Sequence, residues 1–455
     1  MQNTQKTGNP IALLPIGIFL ILYLGLGIIF EYIMGIEMGF YNIPIVVVFM
    51  AALLVACLQN RAVNFDRKIE LMAAGVGDKN IMLMLLIFLE AGIFVGVVGR
   101  SSAQSVAYFM LSIIPPNFAV PVLFIIACLV SIAMGTSVGT ITLIAPIGIA
   151  LATTAGFSIP LTVASVMGGA MFGDNLSFIS DTTIAACKGQ GCEMKDKFRE
   201  NFLIALPAAI VSLIVITLVS MQKGSVSFEL GSYNLIQSIP YLLVLIGGVI
   251  GINVFVVLLI GILSGSIIML ATGAISTTEL LSNMGNGASG MFETAMVAIL
   301  VSALCALIKE YGGFEALLNG LYRTFKGYKG GLLGIGVLVM LLDIATANNT
   351  VAIVMANPIA KEMSAKYEIT PKKTASILDT FSCIAQGIIP YGAQMLVALA
   401  AAKEMGCNVS APQVMQFLFY PYLLCISSLV FIFLKKKKLI LWTLLKCFFE
   451  IYHKP

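Results

Sequence analysis

Two aspartates lie among hydroxyl, amide and glycine residues in the segment GDNLSFISDTT, residues 173–183. Asp174 and Asp181 are 181 − 174 = 7 residues apart, so in a continuous helix they would share one face, about 10 Å apart. A break between them would bring them closer. An aspartate at bilayer depth costs about 3 kcal/mol on insertion, and such residues usually line a cavity and have a function. We therefore expect sodium to bind at Asp174 and Asp181.

Other oxygen-bearing side chains accompany these aspartates. A dehydrated sodium ion prefers carboxylate, hydroxyl, amide and carbonyl oxygens, and a broken helix exposes carbonyls at membrane depth. A proton and a cation would compete for the same carboxylate oxygens, so exchange needs no separate catalyst. Small polar residues also pack transmembrane helices together, which is the alternative for each hydroxyl. The further candidates are Thr136, Ser137, Asn175, Ser180, Thr182, Asn348, Asn349 and Asp379.

Two more ionisable residues lie in apolar surroundings. Asp343 follows the run VLVMLL, so it is a further candidate for cation or proton binding. The alternative is a partner in a buried hydrogen-bond network. Arg100 ends the segment EAGIFVGVVGR; it either marks the outer end of a helix, where arginine can snorkel, or holds an anionic substrate.

The composition indicates a protein embedded in a lipid bilayer. Hydrophobic residues make up 59% of the chain and charged residues 11%, mean hydropathy is +1.01, and apolar stretches of about 20 residues recur. We expect an all-α polytopic fold with about 11–13 transmembrane helices. The first apolar stretch, residues 11–30, lacks a cleavage signature and is expected to be a retained helix. The formal net charge of +4 is modest, so we expect no nucleic-acid partner.

Basic residues concentrate between apolar runs and after the last one. By the positive-inside rule these segments face the cytoplasm, as do both termini. We expect a multi-pass protein of the cell membrane, the inner membrane in a bacterium, and a homodimer is left open. The basic residues concerned are Arg61, Arg67, Lys68, Lys188, Lys195, Lys197, Arg199 and the lysine run 435–438.

The sequence gives little support for disulfide bonds, a zinc site or ATP hydrolysis. The nine cysteines are scattered, which fits small buried hydrophobes better than a disulfide framework. Cys187 and Cys192 share a basic loop, but the single histidine, His453, gives a zinc site little support. No G-x-x-x-x-G-K motif occurs, which argues against a pump that hydrolyses ATP. We therefore expect a non-enzymatic protein without a cofactor, driven by an ion gradient.

The two halves of the chain contain similar motifs. GTSVGTITLIAP ends at Pro146 and TANNTVAIVMANP at Pro358, an offset of 358 − 146 = 212. Each is a small polar cluster followed by apolar residues and a proline, as expected where a spanning helix is interrupted. We expect two inverted repeats, with broken helices or re-entrant hairpins at the membrane midplane. The predicted divisions are a first repeat, 10–221, a linker, 222–235, a second repeat, 236–434, and a basic interfacial tail, 435–455.

At GTSVGTITLIAPIG and GGAMFGDNLSFISDTT the chain resembles the NhaC-type sodium/proton antiporter family. That resemblance implies inverted repeats and exchange of sodium or lithium for protons. Asp174, Ser180, Asp181 and Thr182 match the family's Gly-Asp and Ser-Asp-Thr-Thr pattern. The chain departs from it in the second-half break, where TANNT places Asn348 and Asn349 against a Gly-Asp pair in many members; this bears on how many charges are exchanged.

The sequence leaves three other functions open. The main alternative is sodium-coupled transport of a small carboxylate or amino acid, which a cationic group beside Asp174 would favour. A passive channel could also use broken helices and carboxylates. An intramembrane aspartyl protease would require glycine in place of Met171 before Phe172, Gly173 and Asp174.

Overall fold

In this computed structural model of the chain, the described residues are 8–36, 43–178, 180–221, 234–250, 252–316 and 324–433. Within these ranges the chain forms helices and turns, with no strand. The first-half helices are α1 Leu14–Ile28, α2 Ile45–Leu58, α3 Phe65–Val76, α4 Lys79–Ile113, α5 Pro116–Met134, α6 Ser137–Ala155, α7 Ile159–Leu176, α8 Asp181–Gln190 and α9 Met194–Met221. A 3₁₀ turn, Pro10–Leu13, precedes α1, and a π-helical turn, Ile29–Ile33, follows it.

The second half repeats many of these elements. Its helices are α10 Leu235–Val249, α11 Val254–Ala271, α12 Thr277–Gly290, α13 Phe292–Glu310, α14 Gly327–Thr346, α15 Asn349–Lys366, α16 Pro371–Ile388, α17 Ala393–Glu404, α18 Ala411–Met415 and α19 Phe419–Phe433. Among the described residues, nine helical segments are long and apolar enough to cross a bilayer, and three shorter apolar helices accompany them. The chain is thus a multi-pass membrane protein.

Each half contains a helical hairpin followed by a broken helix. The α5–α6 hairpin turns at Gly135 and Thr136, and between α7 and α8 the described residues 177, 178 and 180 are non-helical. The α14–α15 hairpin turns at Ala347 and Asn348, and the second break occupies 389–392. Helices α7 and α16 both begin and end 212 residues apart (371 − 159 and 388 − 176). The repetition expected from the sequence is therefore present in the helix boundaries, and the inverted orientation of the halves stays a prediction.

The hairpin turns have the same backbone form in both halves. Gly135 and Ala347 adopt left-handed conformations, with φ of 70° and 48°, and each turn is closed by an N–H···O bond to the residue four positions earlier. The next residue caps the following helix, since Thr136 accepts from the Gly139 N–H and Asn348 from the Val351 N–H. The N termini of α6 and α15 are thus fixed where the two hairpins end.

Several elements differ from the sequence expectation. The segment expected as a basic loop after the second helix contains α3, which packs against α13. Arg67 and Lys68 therefore lie on a helix, and the Lys68 ammonium donates to the Cys57 and Gln59 carbonyls at the end of α2. Lys188 lies on α8, and Lys195, Lys197 and Arg199 lie on α9. The predicted tail, 435–455, falls outside the described residues, as does most of the predicted linker.

Candidate cation site

Asp174 lies in the last turn of α7 and is buried. Its Oδ2 accepts from the Ser137 hydroxyl at 2.7 Å and from the Ser137 N–H at 3.2 Å. Its Oδ1 accepts from the Ser180 hydroxyl at 2.5 Å. The hairpin turn before α6 supplies the first serine and the break after α7 supplies the second. Both carboxylate oxygens therefore accept hydrogen bonds from residues that lie next to the helix interruptions.

Close helix packing fixes the position of this carboxylate. A Cβ atom added at Gly173 would lie 2.5 Å from the Cys128 carbonyl oxygen and 2.5 Å from the Ser131 Cβ. Only glycine allows α7 to approach α5 so closely at the residue before Asp174. The Ser131 hydroxyl donates to the Ala170 carbonyl at 2.5 Å, and the Ser177 hydroxyl donates to the Ile132 carbonyl at 2.8 Å. The end of α7 is thus bound to α5 on both sides of Asp174.

A cavity of about 100 Å³ adjoins Asp174 and is lined by both halves. This volume suits a small cation with a few waters, since a water molecule takes about 30 Å³. Carboxylate, hydroxyl and amide groups dominate the polar part of the lining, as a hard cation requires. The polar lining residues are Thr136, Ser137, Asp174, Ser180, Asp181, Thr182, Asn348, Asn349, Thr350, Gln386 and Gln394.

The cavity brings together eight of the residues that the sequence singled out. They are Asp174, Asp181, Ser180, Thr182, Thr136, Ser137, Asn348 and Asn349. Asn175, Asp343 and Asp379 do not line it. Arg100 lies within α4, but its side chain falls outside the described residues. That the eight residues bind a cation stays a prediction.

Asp379 lies in a separate, charge-paired cluster beside the cavity. Its carboxylate forms an ion pair with the ammonium of Lys197, and both side chains are buried. The Asn201 amide donates to Asp379 Oδ2 at 3.0 Å and to the Asn175 side-chain carbonyl at 2.6 Å. The charge of Asp379 is therefore compensated by a lysine of the protein itself.

Lys197 also holds the two sides of the first break. Its ammonium donates to the Asn175 carbonyl oxygen at 2.9 Å, before the break, and to the Thr183 hydroxyl at 2.8 Å, after it. The sequence predicted Lys197 in a cytoplasmic loop by the positive-inside rule. Its ion-pair partner lies 379 − 197 = 182 residues away, so no local pattern could indicate its burial.

Two glutamines connect the cavity to the second half. Gln394 Nε2 donates to the Ser137 hydroxyl oxygen at 3.0 Å, and Gln386 Nε2 donates to Gln394 Oε1 at 2.8 Å. Gln386 Nε2 also donates to the Ala347 carbonyl at 3.1 Å. Gln386 belongs to the oxygen-bearing residues expected in the second half, whereas Gln394 was not predicted as a site residue, although it stands 394 − 182 = 212 residues after Thr182. The repeat offset was the signal that could have identified Gln394.

Sequence comparisons match the chain to an antiporter family and to proteins named as antiporters. A family model described as the Na⁺/H⁺ antiporter family matches residues 6–221 and 229–435. The Malate-2H(+)/Na(+)-lactate antiporter of Bacillus subtilis is 20% identical over 384 residues, covering 77% of this chain and 82% of that protein. The Na(+)/H(+) antiporter NhaC of Bacillus subtilis is 23% identical over 398 residues, covering 79% and 86%. The solved structure of the YdaH transporter of Alcanivorax borkumensis aligns with a TM-score of 0.41 and 13% identity, covering 81% and 89%.

Proposed function

Because the chain belongs to the Na⁺/H⁺ antiporter family, we propose that it exchanges sodium, or lithium, for protons, and that the two ions compete for Asp174. The observation that carries this proposal is the setting of that carboxylate. Asp174 is buried beside a cavity, both of its oxygens face serine hydroxyls, and no lysine or arginine pairs with it among the described residues. Its negative charge is therefore available to a transported cation.

The serines allow the same site to hold either ion. A hydroxyl group carries one donor hydrogen and two acceptor lone pairs. In the cation-free site, Ser137 and Ser180 donate to the Asp174 carboxylate. When sodium enters, the hydroxyls rotate and direct lone pairs at the ion. Protonation removes the charge that sodium needs, because a cation binds the deprotonated ligand. Each ion thus displaces the other.

We assign the remaining cavity residues as cation ligands or as groups that order water around the cation. Asp181 and Thr182 begin α8 on the far side of the break, and Asn348 and Asn349 begin α15 opposite them. Asp181 is exposed whereas Asp174 is buried, so Asp181 guides the cation at the mouth of the cavity. Asn175 and Asp379 support the break through Lys197 and Asn201.

A second candidate function is sodium-coupled exchange of a small carboxylate, to which the name of one relative points. The second-half wall of the cavity is rich in amides, which can donate to a carboxylate: Asn348, Asn349, Gln386 and Gln394. A neighbouring cavity of about 500 Å³ reaches Thr346 and Asn348 from the charged residues Lys309 and Glu310. That volume accommodates a small organic acid.

The experiment that tests the proposal uses the full chain in vesicles that contain a pH dye. After a pH gradient is imposed, sodium, lithium, potassium, or sodium with a panel of carboxylic and amino acids is added. We expect sodium or lithium alone to drive proton flux in the wild type, and the half-saturating sodium concentration to fall as pH rises, since fewer protons then compete.

The matched variants are Asp174→Asn and Asp196→Asn, which make the same substitution at a buried and at an exposed aspartate. We expect Asp174→Asn to reduce sodium-driven flux to the background of empty vesicles and Asp196→Asn to leave it unchanged. Flux that requires an organic acid together with sodium would replace the proposal with the second candidate. Unaltered flux in Asp174→Asn would remove this residue from the mechanism.

A further inference from the structure

Asp343 is a buried carboxyl group to which no described residue donates a hydrogen bond. It lies on α14 one turn before the hairpin tip, and its exposed fraction is 0%. Neither carboxyl oxygen has a hydrogen-bond partner among the described residues, and no ion pair includes it. Buried carboxylates are normally hydrogen-bonded or paired with a positive charge. Something that the described protein atoms do not supply must therefore satisfy Asp343.

A second unsatisfied oxygen lies beside it. Gln386 Oε1 is buried and has no hydrogen-bond partner among the described residues. The backbone of the same residue lies close to the Asp343 carboxyl group. Asp343 and Gln386 thus contribute three buried side-chain oxygens to which no described group donates a hydrogen bond. A proton on Asp343 supplies the missing donor, because its O–H can then donate to Gln386 Oε1.

Side chains connect this position to Asp174. Gln386 Nε2 donates to Gln394 Oε1 at 2.8 Å, and Gln394 Nε2 donates to Ser137 Oγ at 3.0 Å. The Ser137 hydroxyl in turn donates to Asp174 Oδ2 at 2.7 Å. The relay, which we define as Ser137, Gln394 and Gln386, therefore runs from one carboxyl group to the neighbour of the other.

The other titratable groups near Asp343 form their own bonds. The Tyr391 hydroxyl donates to the Ile344 carbonyl at 2.6 Å, the Cys305 thiol of α13 to the Ala345 carbonyl at 2.7 Å, and the Cys383 thiol of α16 to the Met171 carbonyl at 3.6 Å. None of these bonds is to Asp343.

The charged groups of the helices that pack against α14 do not neutralise Asp343 either. On α16, Lys372 and Lys373 lie in the first turn, and Asp379 is paired with Lys197. The charged residues of α15 lie 12 or more residues from its N terminus, about 18 Å along the helix; they are Lys361, Glu362 and Lys366. On α13, Glu293 and Lys309 are exposed at opposite ends and Glu310 follows Lys309, while α19 has no charged residue. A proton is therefore the charge that Asp343 can acquire without rearranging these helices.

We infer that Asp343 is a second exchangeable proton site, coupled to Asp174 through the relay, so that two protons are exchanged for each sodium ion. This inference rests on the proposed function. When Asp343 loses its proton to water in the cavity that Gln386 and Asp174 line, both amides of the relay turn over: Gln386 Nε2 donates to Asp343 and Gln394 Nε2 to Gln386 Oε1. The Ser137 hydroxyl then donates to Gln394 Oε1 and presents a lone pair to the cation at Asp174. One proton leaves Asp343 and one leaves Asp174 as one sodium ion binds, so one net charge moves per cycle.

The test measures the exchange ratio in vesicles with opposed sodium gradients, from the membrane potential at which net proton flux stops. We expect a ratio of two protons per sodium in the wild type and one in Asp343→Asn. Asparagine keeps the shape and donates to Gln386 Oε1, but it carries no exchangeable proton. A second variant, Gln394→Leu, interrupts the relay and is also expected to give a ratio of one. Asp196→Asn is the control and keeps a ratio of two.

The outcomes separate this inference from the proposed function. A ratio of one in the wild type, or a ratio of two in Asp343→Asn, overturns the inference while sodium/proton exchange stands. An absence of sodium-driven proton flux in the wild type overturns the proposed function itself. If neither variant folds, the number of protons released when sodium is added to the purified wild-type protein decides: two support the second site and one excludes it.

Discussion

The break in α7 and the break in α16 occupy equivalent positions of the two halves, 212 residues apart, yet they carry different chemistry. Asp174, just before the first break, corresponds to Gln386, just before the second, and Ser180 corresponds to Gly392 (392 − 180 = 212). The first break thus offers a carboxylate held by hydroxyls, whereas the second offers a neutral amide. The two breaks therefore have equivalent backbone positions, but only the first-half side of the cavity carries the carboxylate.

The hairpins show the opposite distribution of charge. Ser131 in α5 corresponds to Asp343 in α14 (343 − 131 = 212). The Ser131 hydroxyl donates to the Ala170 carbonyl, whereas Asp343 has no partner among the described residues. Asp174 and Asp343 are therefore both buried carboxyl groups that no lysine or arginine of the described residues pairs with, the first just before a break and the second behind a hairpin tip. Under the proposed function, equivalent helical frameworks thus hold a sodium-binding carboxylate in one half and a proton-binding carboxyl group in the other.

We expect the largest effect when the two residues that precede the breaks are exchanged. The double variant Asp174→Gln/Gln386→Asp keeps the number of carboxylates but moves one to the second half. Because Ser180 has no hydroxyl counterpart at Gly392, the relocated carboxylate loses charge-assisted hydrogen bonds worth about 1.5–3 kcal/mol each. We expect sodium-driven proton flux in vesicles to stay at background. Recovery of the flux would mean that the breaks are chemically equivalent, and Asp196→Asn again serves as the control.

We expect a smaller effect from the ion pair beside the first break, which joins Lys197 to Asp379 of the second half. Lys197→Met leaves Asp379 buried without its ion-pair partner, which typically destabilises a protein by about 3–5 kcal/mol. We expect a clearly lower midpoint of thermal unfolding in detergent, and partial recovery when Asp379→Asn removes the stranded charge. Lys188→Met, at an exposed lysine on α8, controls for the substitution itself. An unchanged midpoint for Lys197→Met would show that the pair contributes no stability.

The sequence predicted the repeat and the first carboxylate because both depend on local patterns. Proline after a polar cluster indicates an interrupted helix, and the offset between Pro146 and Pro358 equals the offset between the helices of the two halves. Helix α3 was missed because its apolar face is short and lies between charged residues. The burial of Lys197 was missed because it depends on a distant aspartate. Gln394 was missed because neutral glutamines are common in helix packing.

We expect the smallest effect at the hairpin turns, where the backbone conformation is the same and the residue differs. Ala347 has a φ of 48°, a left-handed conformation that costs an L-residue with a side chain about 1–2 kcal/mol, whereas Gly135 adopts a φ of 70° without that strain. We therefore expect Ala347→Gly to raise the unfolding midpoint slightly and Gly135→Ala to lower it, as measured by thermal unfolding in detergent. The two substitutions are mirror images at equivalent sites, so each controls for the other. If Ala347→Gly instead lowers the midpoint, the Ala347 methyl group must contribute packing that outweighs its backbone strain, and the two turns would differ in more than the residue at the left-handed position.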